Sequence, residues 1–140
     1  MERIPSDTGS QPEFTFDPTN KVVGVVDNDG DAEATLIDFR NAGFAGDQLE
    51  LLTNEEGARR VDVSSEVRVH VVDLTQRVPA FYDAPVIVRR IEEELRAGHH
   101  LIGVLAKDAD ARKQARKILK SHGGHFINFY GRWAAESLDP

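Results

Sequence analysis

Short β-branched runs alternate along this chain with longer segments whose apolar residues recur every three or four positions. Lys21-Val22-Val23-Gly24-Val25-Val26 is apolar, brief and bounded by turn residues, which predicts a strand. Asp27-Asn28-Asp29-Gly30-Asp31 follows, and carboxylates there satisfy the open N–H groups and the dipole of a helix start. Ala32, Leu36 and Phe39 then keep helical spacing up to Ala42. Gly43 suits the left-handed position after the helix, with Phe44 placed to pack on Phe39. Residues 48–53 alternate Leu49 and Leu51 against Glu50 and predict a second strand.

Residues 54–65 predict a turn or short helical piece. The stretch after them carries two patterns. Val67, Val69 and Val71 alternate with Arg68 and His70 as in a strand, whereas Val67, Val71, Leu74 and Val78 form a longer helical stripe that ends before Pro79. The longer stripe predicts a helix over 66–78. Pro85 opens a clearer helix whose face is Val88, Ile91 and Leu95, with Arg90 and Glu94 paired four apart, and Gly98 stops it. A third strand is predicted from His100 to Ala106. A helix from Asp108 follows, with Ala111, Ala115 and Ile118 inward, and Gly123-Gly124 ends it. A fourth strand covers Phe126 to Tyr130, and a short helical tail is expected to Leu138.

Shifting the chain by 79 superposes Val23-Gly24-Val25 on Ile102-Gly103-Val104 and Asp29 on Asp108, with a one-residue slip expected at the helix end. Each half is then strand, acidic cap, helix, glycine, strand. Two such units interleave as an α+β fold, a ferredoxin-like split βαβ repeat with a four-stranded antiparallel sheet in order 4-1-3-2. A doubly wound parallel sheet is the competing arrangement. The expected organisation is an N-terminal tail over 1–20 and one domain over 21–140. The first unit spans 21–53, a helical insert 54–97, the second unit 98–130 and a C-terminal tail 131–140. Strands apolar on both faces require the second face to be covered, either by the insert or by a second copy in a homodimer.

Composition narrows the class. One hundred and forty residues with 40% hydrophobic and 29% charged content are ordinary for one globular domain. The N-terminus lacks a signal-peptide core and no apolar run could span a membrane, so a cytoplasmic protein is expected. The absence of cysteine excludes thiol catalysis and cysteine-ligated zinc. A net charge of -7 argues against nucleic acid as the partner, although Arg112, Lys113, Arg116, Lys117 and Lys120 put a basic face on one helix.

The 4-1-3-2 order places the end of the first strand between the starts of the third and fourth. It gathers Asp27, Asn28 and Asp29 beside His99, His100, His122 and His125. Imidazoles with a carboxylate suit Zn²⁺, Ni²⁺ or Fe²⁺, with His99, His122 and His125 the metal candidates. Against this, no HxH or HxxxH motif is present, so capping and turn roles explain the same residues. Arg132 and Trp133 form a second candidate for ligand contact, through guanidinium and ring. The sequence implies no cofactor, and it contains no phosphate loop or catalytic-triad motif.

Three blocks carry a family resemblance: Leu51-Leu52-Thr53-Asn54-Glu55-Glu56-Gly57-Ala58, Glu94-Leu95-Arg96-Ala97-Gly98-His99, and His122 to Trp133. Over residues 21–138 the chain resembles small bacterial proteins similar to the general stress protein 17M (YflT-like) domain. That resemblance implies a small cytosolic protein in a stress setting, with no catalytic residues to carry over. The expected function is a non-enzymatic binding or interaction module, with a small-molecule or metal-dependent enzyme at the histidine/aspartate rim as the alternative.

Overall fold

A computed structural model describes residues 19–54, 56–57, 70–73, 85–131 and 135–138. Its elements are β1 (Lys21–Val26), α1 (Asp29–Asn41), β2 (Leu49–Thr53), β3 (His70–Asp73), α2 (Pro85–Arg96), β4 (His100–Leu105), α3 (Ala109–Ser121), β5 (His125–Tyr130) and β6 (Ala135–Ser137). They form an α+β fold around a six-stranded sheet in order β3-β2-β4-β1-β5-β6. Every pair is antiparallel except β2 with the edge strand β3, which is parallel. The sheet therefore has one strand more at each edge than the four expected.

Two expectations are corrected here. Residues 70–73 are strand where the longer stripe predicted helix over 66–78. The β-branched alternation prevails because Glu50 to Thr53 offer a partner from His70 to Asp73 in parallel register. The tail, expected to be helical, is a strand over Ala135–Ser137, paired with Tyr130 to Asn128. The N-terminal tail to residue 18 and the remainder of 66–78 lie outside the described residues, as do Arg132 and Trp133.

The repeat is visible in the elements. β1 and β4 start at Lys21 and His100, a spacing of 79, whereas α1 and α3 start at Asp29 and Ala109, a spacing of 80. The slip thus falls in the strand-to-helix loop, ahead of the helix-end position expected. Asn28 caps α1 by accepting from Asp31 N at 2.8 Å, and Asp108 caps α3 by accepting from Ala111 N at 2.8 Å.

Both sheet faces are covered. Val22, Val26, Leu49, Leu51, Ile102, Val104 and Ile127 pack under Ala32, Leu36 and Phe39 of α1 and Ala115 and Leu119 of α3. Val23, Val25, Leu52, Leu101 and Tyr130 pack under Ile91 and Leu95 of α2. The face that the sequence left for an insert or a second copy is taken by α2, which removes the reason to place a homodimer there. Gly24 serves close packing: a Cβ there would lie 3.0 Å from Leu119 Cδ1 and 3.1 Å from Ile127 Cγ1. Among the described residues no helix is long and apolar enough to cross a membrane.

Candidate metal centre

Four side chains meet at one end of the sheet: Asp27, Glu94, His99 and His125, whose potential ligand atoms all lie within 4.8 Å of one another. Each arrives by a local device. Asp27 is the single residue between the end of β1 and the Asn28 cap, so the helix start fixes it at the rim. Glu94 and His99 come from the end of α2. There Gly98 adopts a φ of 87°, Gly98 N donates to Leu95 O at 3.1 Å, and His99 N donates to Glu94 O at 3.0 Å. These are the two bonds of a Schellman motif, which sets side chains five residues apart against each other. The pair so juxtaposed is Glu94 and His99.

His125 is aimed by a bulge. In the β1–β5 register Val23 faces Asn128 and Val25 faces His125, so Gly24 opposes both Phe126 and Ile127. Phe126 holds a φ of 50°, costly for a residue with a side chain, and the irregularity takes His125 out of the strand's simple alternation.

The hydrogen bonds run as a chain. His99 Nδ1 donates to Glu94 Oε1 at 2.6 Å and lies 3.4 Å from Asp27 Oδ1. His125 Nε2 donates to the same Asp27 oxygen at 2.6 Å. The two imidazoles meet edge to face with centroids 6.2 Å apart. Arg90 Nε donates to Glu94 Oε2 at 2.7 Å, and its guanidinium stacks 4.5 Å from the centre of the Phe126 ring. The hydrogen bond from His125 holds the Asp27 carboxyl below its usual range, against a smaller opposing effect of burial. For Glu94 burial is the largest single influence and acts upward, but the bonds from His99 and Arg90, with the nearby charges of His125 and Arg90, outweigh it and the carboxyl is held low. Both carboxylates are thus kept in the form that binds cations.

The remaining sequence candidates divide. His100 is fully buried and belongs to a neighbouring relay: Nε2 donates to Asp29 Oδ1 at 2.6 Å, and Nδ1 lies 2.7 Å from Thr53 Oγ1. The backbone of Gly57 sits on this pair, where a Cβ would collide with Thr53 Oγ1. His100 ties β4 to the start of α1, and both its ring nitrogens are engaged there. His122 is not at the rim; it bonds Asp38 Oδ2 at 2.6 Å beside an open cleft of about 620 Å³ between α1 and α3. The basic face of α3 is partly consumed by packing: Arg112 stacks 4.5 Å from the Phe129 centroid, and Arg116 donates to the carbonyl of Leu138.

Glu94 was missed by sequence reasoning. Its pairing with Arg90 is real, and that pairing accounted for the residue. The overlooked signal is Glu94-x-x-x-Gly98-His99, a glycine-terminated helix that folds the next residue back onto the one five before it.

An ion bound through imidazole nitrogen and carboxylate oxygen has bonds of about 2.1 Å, so its donors stand roughly 3.4–4.2 Å apart. The 3.4 Å separation of His99 and Asp27 meets that already, and the two 2.6 Å pairs need to open by about 1 Å. Such a shift is within reach of side chains at a rim, where Asp27 is 54% exposed and His125 35%. No family model matches the chain, and no curated protein or solved structure is significantly similar to it.

Proposed function

We propose that this protein is a cytoplasmic, non-enzymatic binding module whose ligand is a divalent transition metal held by Asp27, Glu94, His99 and His125. The convergence of four donors from three separate stretches of chain, two of them carboxylates held ionised, carries this reading. Imidazole and carboxylate donors without thiolate favour Zn²⁺, Ni²⁺ or Fe²⁺. The support for a ferredoxin-like fold is the pair of βαβ units at the centre of the sheet, and a stress setting rests on the resemblance of the 122–133 block. A metal-dependent reaction at the same rim is the second reading, favoured by the exposure of Asp27 and His125, which leaves one side of an ion open.

Equilibrium dialysis of the purified chain against Zn²⁺ and Ni²⁺ tests the proposal. One ion per chain, lost in the Asp27→Asn/His125→Ala double variant and retained in His122→Ala, is the expected result. Uptake that is absent, or that follows His122, overturns it.

A further inference from the structure

Arg90 is fixed at the rim without being saturated. Its Nε is spent on Glu94 Oε2 at 2.7 Å and one face of its guanidinium rests on Phe126. Its side chain remains 41% exposed, and its two terminal nitrogens find no acceptor among the described residues. A guanidinium carries five donors in a planar fork, and the four that remain suit a carboxylate or phosphate edge. The platform that holds it is Phe126, the strained residue of the bulge that also aims His125. One irregularity therefore orients a metal donor and a cation together.

Charge decides what the site can accept. Asp27, Glu94 and Arg90 carry one net negative charge between them, in a chain of net charge -7. A divalent ion turns that local sum to one positive charge. Resting on the metal-binding reading above, we infer that the loaded site takes a small oxyanion as co-ligand, one oxygen on the ion and another on the terminal nitrogens of Arg90. The ion and the anion then bind cooperatively, each raising the other's affinity by the same factor.

Cobalt makes the inference measurable, because Co²⁺ absorption reports its coordination. Inorganic phosphate is titrated into the Co²⁺-loaded chain and, separately, into the metal-free chain by calorimetry. The loaded chain is expected to show a saturable spectral change, with metal-free binding at least tenfold weaker. With Co²⁺ held at saturation, so that the lost support of Glu94 does not enter the comparison, Arg90→Met is expected to weaken phosphate at least tenfold. Phe126→Leu keeps the Arg90–Glu94 bond and removes the stacking surface, and is expected to give a smaller loss of phosphate affinity in the same direction. Phosphate binding unaffected by Arg90→Met, or equally tight without metal, overturns the inference and leaves the metal site standing. Failure of Co²⁺ itself to bind overturns the metal-binding reading and this inference with it.

Discussion

α1 and α2 end in the same backbone device and use it for opposite purposes. At the end of α1, Gly43 has a φ of 104°, Gly43 N donates to Arg40 O at 3.1 Å and Phe44 N to Phe39 O at 3.0 Å. The side chains brought together are Phe39 and Phe44, with rings edge to face at 5.2 Å, and both are buried. At the end of α2 the same bonds surround Gly98, and the side chains brought together are Glu94 and His99. The motif specifies only that two residues five apart shall touch. An apolar pair turns that into core; an acid and an imidazole turn it into half of the proposed metal site. The geometry is common property, and the chemistry is chosen by two residues.

Breaking each pair separates these roles. Phe39→Ala is expected to have the largest effect on folding, about 3–5 kcal/mol by denaturant titration, for a large buried ring. Metal affinity in the fraction that remains folded is expected to be unchanged. His99→Ala is the converse: roughly a 100-fold loss of metal affinity by dialysis, at the upper end of the about 10–100-fold typical of removing a ligand's supporting partner. Its denaturation midpoint is expected to move little, since the His99 ring is partly exposed. If His99→Ala unfolds the chain as Phe39→Ala does, the contrast between the two helix ends is wrong.

The two glycines sharpen the comparison further. Among the described residues, nothing beyond the adjoining chain lies within 4 Å of where a Cβ would stand on Gly43 or Gly98, so an alanine meets the left-handed backbone, at about 1–2 kcal/mol. Gly43→Ala and Gly98→Ala should therefore cost the same stability, while only Gly98→Ala also weakens metal binding by moving His99. Equal metal affinity in the two variants would show that the turn after α2 does not position the site.

The smallest expected effect is on acid stability. Asp27 and Glu94 have carboxyls held below their ordinary values, so each stabilises the fold above the unfolded carboxyl range. That contribution is lost as pH falls through the lower folded values, from about pH 4.5 downward. The groups facing them are His99, His125 and Arg90. Thermal unfolding followed across this window should fall less steeply for Asp27→Asn than for the natural chain. Metal affinity should also weaken as pH falls through this window, because protons then compete with the ion for the Asp27 and Glu94 carboxylates.

Much of this was legible in the chain, for reasons that the two helix ends illustrate. The strands of β1 and β4, the caps and the glycine stops are local signals, and each is decided by a handful of neighbours. From them the rim followed, because the strand order puts Asp27 beside His99 and His125. What failed was decided at a distance. His70–Asp73 carries both a helical and a strand pattern, and the choice fell to the open edge of β2, which periodicity does not reveal. β6 likewise forms because β5 offers Asn128 to Tyr130 as a partner. His122 was drawn to the rim on proximity in sequence to His125, but the glycine turn between them sends it to Asp38. Glu94 was overlooked because one visible partner, Arg90, concealed the use of its second oxygen.

The doubled architecture leaves the molecule with a spare end. At the spacing of 79, Asn20, Lys21 and Ala106 stand where His99, His100 and Asp27 stand at the rim, and Lys21 closes that far end in an ion pair with Glu50. Among the described residues the same scaffold is thus present twice and carries the four-donor cluster once. The far end is a control supplied by the molecule itself, and a place where a counterpart of the proposed centre could be installed without disturbing the rim.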